Sequence, residues 1–116
     1  MIKIYHNPRC AKSRAGLKYI ESRNISCEVI DYIEKPLTAE VIKRLIMKLN
    51  IKPVDLVRTN DEVYKKELKG RNFTNEEWIK ILEQNPRLIK RPVVEGRYKA
   101  VIAIPETAID IILKDI

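Results

Sequence analysis

The sequence predicts an α/β domain: a four-stranded mixed sheet assembled from an amino-terminal and a carboxy-terminal half, with a helical stretch between them. Three observations predict it. Over residues 1–33 the apolar period is strand-like, then helical, then strand-like; from 35 to 90 it is helical; after that it returns to two before a final helix. Length agrees, because 116 residues suit one domain, expected over 1–116, that buries roughly two-thirds of its unfolded surface. The composition, 45% hydrophobic and 34% charged with only 3 Gly and 6 Pro, is that of a folded chain.

Ile2-Lys3-Ile4-Tyr5-His6 reads as the first strand, and residues 11–23 as a helix with Ala15, Tyr19, Leu17 and Ile20 at helical spacing. Glu28-Val29-Ile30-Asp31-Tyr32-Ile33 then alternates as a second strand. A helix of this length between two strands forms a right-handed βαβ unit, so these strands are expected to be parallel.

The middle segment, about 35–90, is expected to be an all-helical insertion. Thr38 caps a helix with Val41, Ile42, Leu45 and Leu49 inward, and Asn60 is a cap for a second carrying Val63 and Tyr64. Thr74-Asn75-Glu76-Glu77 has the capping-box form ahead of Trp78, Ile81 and Leu82.

Pro92-Val93-Val94-Glu95, a turn at Gly96-Arg97 and Tyr98 to Ile104 then make a hairpin, and Pro105 opens a last helix burying Ala108, Ile109, Ile112 and Leu113. The order βαβ, helical insert, ββα is that of a thioredoxin-like fold.

Composition also narrows function. No basic and apolar leader opens the chain and no apolar run approaches the ~20 residues of a membrane span, so a cytoplasmic protein without membrane contact is expected. Two cysteines are too few for a disulfide framework, and a reducing compartment keeps both as thiols. The net charge of +7 draws acidic partners, but no block of five like charges occurs and aromatics are only 6%. Direct nucleic-acid binding is therefore not expected.

The chemistry concentrates at Cys10. Strand one ends near His6, and Asn7-Pro8-Arg9 turns the chain into the first helix, placing Cys10 at that helix's N-terminus. Unpaired amides and the positive end of the dipole stabilise a thiolate there, and Arg9, Lys12, Arg14 and a protonated His6 are expected to add favourable charge. A cysteine taken at random is more often a small buried hydrophobe; this company reverses the odds.

Cys27 is the contrast. It precedes the second strand, a 13-residue helix and roughly 20 Å from Cys10, against a limit of about 7 Å for the Cα atoms of a disulfide. Cys10 thus has no resolving partner in the chain, and the third position after it is Ser13, which either hydrogen-bonds the sulfur or serves as an ordinary first-turn serine.

Topology brings two further segments to Cys10: the start of strand three, Arg91-Pro92, and the end of strand four, Ile104-Pro105. A cis Pro92 and an Arg91 facing a bound oxyanion suit the first. The second brings no charge.

The run Ile4-Tyr5-His6-Asn7-Pro8-Arg9-Cys10-Ala11-Lys12-Ser13-Arg14, with Leu56-Val57-Arg58 and Arg91-Pro92-Val93-Val94, resembles the glutaredoxin-coupled arsenate reductase family across essentially the whole chain. The resemblance implies an oxidoreductase in which Cys10 attacks an oxyanion or thiol substrate and Arg58 and Arg91 hold the oxyanion, with His6 near the thiol tuning its ionisation. Arg14, Ser13, Asn7 and Pro92 are then the substrate-binding surround. It further implies glutathione as co-substrate and glutaredoxin as partner, with no bound cofactor and no metal.

Two departures leave alternatives open. A third arginine of the family's reductases falls at Ile104 here; losing one charge-assisted contact of ~1.5 to 3 kcal/mol weakens oxyanion binding roughly ten- to a hundredfold. That favours a glutathione-dependent thiol oxidoreductase without arsenate activity. The related Spx-type regulators bind RNA polymerase and often switch through Cys-x-x-Cys, which reads Cys10-Ala11-Lys12-Ser13 here. A non-catalytic regulator using the helical insert is the remaining alternative.

Overall fold

The computed structural model describes residues 2–114. The chain divides into two compact units, one made of the residues up to Lys35 with those from Arg91 onward, the other of Pro36–Lys90.

The first unit holds a four-stranded sheet in the order β2-β1-β3-β4, with β1 Ile2–His6, β2 Cys27–Asp31, β3 Val93–Glu95 and β4 Ala100–Ile102. β1 pairs parallel with β2 (Ile4↔Val29) and antiparallel with β3 (Ile4↔Val94), and β3 pairs antiparallel with β4 (Val94↔Val101). The arrangement is thioredoxin-like, as the element order predicts.

An interior strand is buried on both faces, and β1 shows it. Ile2 and Ile4 join Ile20, Val94, Ala103, Ile109 and Ile112 in one apolar core, so helix α1 (Ala11–Ser22) and the carboxy-terminal helical residues share a face of the sheet. On the opposite face the buried Tyr5 hydroxyl donates to Glu95 Oε1 at 2.7 Å. Burying a carboxylate without such a partner costs several kcal/mol in practice, about what removing one member of a buried charged pair costs.

Several boundaries differ from the expectation. β2 begins at Cys27 and ends at Asp31, because the Asp31 carboxylate accepts from the amides of Ile33 and Glu34 and turns the chain. β4 stops at Ile102, where Ile104 N–H folds back to the Ile102 carbonyl at 2.9 Å ahead of a cis Pro105. The hairpin loop is longer than two residues, closed by Gly96 N–H to the Lys99 carbonyl at 2.8 Å, with Tyr98 in solvent. The final helix starts as a 3-10 turn, Glu106–Ile109, before α4, Asp110–Leu113; Ile109 and Ile112 are buried, Ala108 and Leu113 only partly.

In the second unit, α2 (Ala39–Leu49) starts at Thr38, whose side chain accepts from Val41 N–H, and ends at Asn50 in the left-handed region (φ 57). α3 (Asn75–Gln84) carries the full capping box between Thr74 and Glu77. Each N-cap contributes about 1 kcal/mol. Ile42, Leu45, Trp78 and Leu82 are buried as expected, whereas Val41, Leu49 and Ile81 are half-covered, and Ile46 and Ile79 join the buried stripes.

The helix expected after Asn60 is a correction. Asp61, not Asn60, takes the first free amide, accepting from Val63 N–H at 2.8 Å, and Tyr64–Leu68 forms a π-helical turn. An isolated bridge, Val57↔Ile89, means the insert is not purely helical.

Candidate functional site

Residues 7–13 form a short, internally bonded loop. Asn7 is its organiser: its carbonyl accepts from Cys10 N–H at 3.0 Å, its side-chain oxygen from Arg9 N–H at 3.1 Å, and its own N–H donates to Ser13 Oγ at 2.9 Å. These bonds fold the chain over the start of α1 and leave Cys10 at the N-cap, with extended dihedrals (φ −97, ψ 123). Asn7 is buried, and its carbonyl, its N–H and its side-chain oxygen are all committed to the loop.

The Cys10 thiol is half-buried and free. It closes no capping hydrogen bond of its own, and no acidic residue stands in the first turn of α1. Burial by itself pushes the thiol up. The backbone amide of Ser13, the Arg91 guanidinium and the backbone amide of Lys12 pull it the other way, and with the Arg91 charge they bring it below its ordinary value. A helix N-terminus and a cation thus converge on one sulfur.

Ser13 works differently from either expectation. Its hydroxyl is fully buried and faces His6 Nδ1 at 2.7 Å while accepting from Asn7 N–H; its backbone amide, not its side chain, serves the sulfur. The Asn7 bond takes one of the hydroxyl oxygen's two lone pairs and leaves the other lone pair and the hydroxyl proton for the contact with Nδ1.

His6 corrects the expectation of a protonated imidazole. Burial pushes it below its ordinary value, against the upward pull of Asp31 and of a hydrogen bond with the Ser13 backbone, with Arg14 adding a smaller downward push. At neutral pH it supplies hydrogen bonding, not charge.

Arg91 and Pro92 lie at the start of β3, joined by a cis peptide bond. Pro92 is buried and stands so close to α1 that a Cβ on Gly16 would meet its Cγ at 2.8 Å. An isolated glycine within a helical pattern is the sequence signal for such an approach.

Arg14 Nη1 donates to the Pro8 carbonyl at 2.9 Å, holding the loop from outside. Arg58 belongs to the second unit, where Nη1 donates to the Arg87 carbonyl at 3.0 Å and lies 3.6 Å from Asp61 Oδ2. Cys27 pairs in register with Ile2, at the opposite end of β1 from His6. Burial pushes its thiol up, with Glu21 and Glu28 adding to the rise.

Among the described residues, no group of three or more His, Cys, Asp or Glu could hold a metal ion, and no helix is long and apolar enough to cross a membrane. The first unit offers a thiol whose ionised form is favoured by the helix amides and by an adjacent arginine.

Comparison with known proteins identifies the family. An arsenate reductase of Neisseria meningitidis serogroup A is 35% identical over 114 residues, covering 97% of both chains. An Escherichia coli arsenate reductase is 38% identical over 94 residues, 80% of this chain and 67% of its own. The solved structure of an arsenate reductase from Vibrio cholerae superimposes with a TM-score of 0.90 at 32% identity, covering 96% of each chain. Residues 5–112 match the ArsC family model, a span holding Cys10, Ser13, Arg58 and Arg91, and the chain belongs to the ArsC family.

Proposed function

We propose that the chain is an arsenate-reductase-like thiol oxidoreductase in which Cys10 is the nucleophile. The observation that carries this reading is the convergence of the Ser13 and Lys12 amides and the Arg91 guanidinium on the Cys10 sulfur. A thiolate held this way attacks an electrophilic arsenic or sulfur centre, and the same arginine offers a forked donor to an oxyanion.

In this reading Arg91 holds the oxyanion as the Cys10–arsenic bond forms and water leaves, and glutathione adds its sulfur to the arsenic with loss of a second water; a glutaredoxin thiolate then attacks the glutathione sulfur, forming a mixed disulfide as arsenic takes the electron pair, and water releases arsenite from Cys10. An external thiol is required because Cys27 stands at the far end of the sheet. The assignment of Arg58 to the oxyanion rests on the family resemblance. We place the protein in the cytoplasm, where the glutathione pool keeps Cys10 and Cys27 reduced.

The experiment is turnover of arsenate with glutathione and glutaredoxin, with the mass at Cys10 followed through the cycle. Cys10→Ser should abolish turnover while the fold persists; retained activity would end the reading. Ile104 favours a second reading, a glutathione-dependent thiol oxidoreductase without arsenate turnover, because an exposed isoleucine stands where the end of β4 brings no cation. An arsenate titration that forms no adduct, while disulfides are still reduced, would select it.

A further inference from the structure

Among the described residues few large apolar side chains are left in solvent, and Ile104 is one of them at 44% exposed. A lone exposed isoleucine usually carries no meaning; its place is what matters here. Ala103 N–H donates to the Pro92 carbonyl at 2.9 Å and Ile104 N–H to the Ile102 carbonyl at 2.9 Å, with Pro105 following. The backbone of Ile104 is therefore held beside the Arg91-Pro92 segment. That segment also carries the guanidinium on the Cys10 sulfur and packs on Gly16 of α1.

The end of the sheet that bears the thiol thus has two characters. Arg91 and the amides of α1 offer charge and hydrogen bonds. Ile104 and the exposed Pro105 and Pro8 offer only carbon. A small, fully hydrated oxyanion gains nothing from such carbon and loses water against it. A molecule that brings a sulfur on a carbon arm satisfies both parts, because its arm covers the isoleucine while its sulfur meets Cys10.

We propose that Ile104 is a specificity-determining residue of the Cys10 site, an apolar ledge that favours organic disulfides whose carbon arms lie on it. This rests on the reading of Cys10 as nucleophile. The Cys10 thiolate attacks one sulfur of R–S–S–R, a new Cys10–S–S–R bond forms as the old S–S bond breaks, and R–S⁻ leaves with the electron pair and takes a proton from solvent. Cys10 is oxidised to the mixed disulfide, one half of the substrate is reduced to thiol, and the disulfide itself is the oxidant.

The test uses the full chain with Cys27→Ala, so that only Cys10 reports, and three probes: dithiodipyridine with apolar arms, hydroxyethyl disulfide with short hydrated arms, and iodoacetamide as a small neutral alkylator. Ile104→Ser should slow dithiodipyridine about five- to tenfold, the loss expected from removing part of a buried apolar contact. The other two rates and the pH profile of the thiol should stay unchanged, and Ile104→Leu should restore the fast reaction. Equal slowing of both disulfides, or of neither, would overturn the proposal. If Cys10 with Ile104 in place reacts with iodoacetamide no faster than a peptide thiol, the nucleophile reading itself falls, and that result is distinct from a failure of Ile104 alone.

Discussion

The Nδ1 atom of His6 lies 2.7 Å from the Ser13 hydroxyl oxygen, and that bond, made where Ser13 is fully buried, ties the end of β1 to the first turn of α1. The same oxygen accepts from Asn7 N–H at 2.9 Å. Removing it strands two polar groups at once. Ser13→Ala should therefore cost about 1–3 kcal/mol of stability, read as a lower denaturant midpoint. Because the Ser13 backbone amide remains, the pH profile of Cys10 alkylation should move far less than its stability does.

His6 should make stability depend on pH in a definite direction. Its folded-state value is depressed by burial, whereas in the unfolded chain it takes up a proton near ~6.5. Below that pH the unfolded state binds more protons than the folded one, so stability is complete above about 6.5 and erodes as pH falls through the folded value. Comparing denaturant midpoints at pH 7.5 and 5 should show a smaller acid loss for His6→Asn than for the parent chain. Equal losses would mean that His6 takes up its proton at the same pH in the folded and the unfolded chain.

Arg91 should govern the reactivity of Cys10. Its guanidinium helps hold the thiol below its ordinary value, so Arg91→Ala should shift the alkylation profile with iodoacetamide to higher pH and slow the reaction several-fold at neutral pH. The two proteins should react alike once the pH is high enough to ionise both thiols, because only the thiolate is nucleophilic. A profile that does not move would remove Arg91 from the site.

These contacts divide into those a sequence can announce and those it cannot. The N-cap place of Cys10 and the Thr74–Glu77 capping box were legible because strand end, turn and helix start are local signals. The π turn at Tyr64–Leu68 was not, since the apolar spacing of Val63 and Tyr64 does not distinguish it from an α-helical turn. The partner of Glu95 could not be read locally either, because the Tyr5 hydroxyl that meets its carboxylate lies ninety positions away. The charge state of His6 was misread for the same reason, because burial is a property of the assembled sheet and not of the motif around Cys10.

Gly16 offers the sharpest test of how the site is held. A methyl group there would sit 2.8 Å from Pro92 Cγ, well inside the 3.5–4.0 Å of a comfortable carbon contact, and the atom it meets belongs to a rigid ring. Alanine is the better helix former by about 1 kcal/mol, whereas overpacking a tight contact costs about 1–3 kcal/mol. The contact should win, so Gly16→Ala should lower the denaturant midpoint. Any movement of α1 away from Pro92 also draws the Cys10 sulfur from Arg91, and the thiol should then titrate at higher pH. A variant that is more stable and keeps the parent profile would show that α1 can move along the sheet without disturbing the thiol, and that the close approach to Pro92 does not position it.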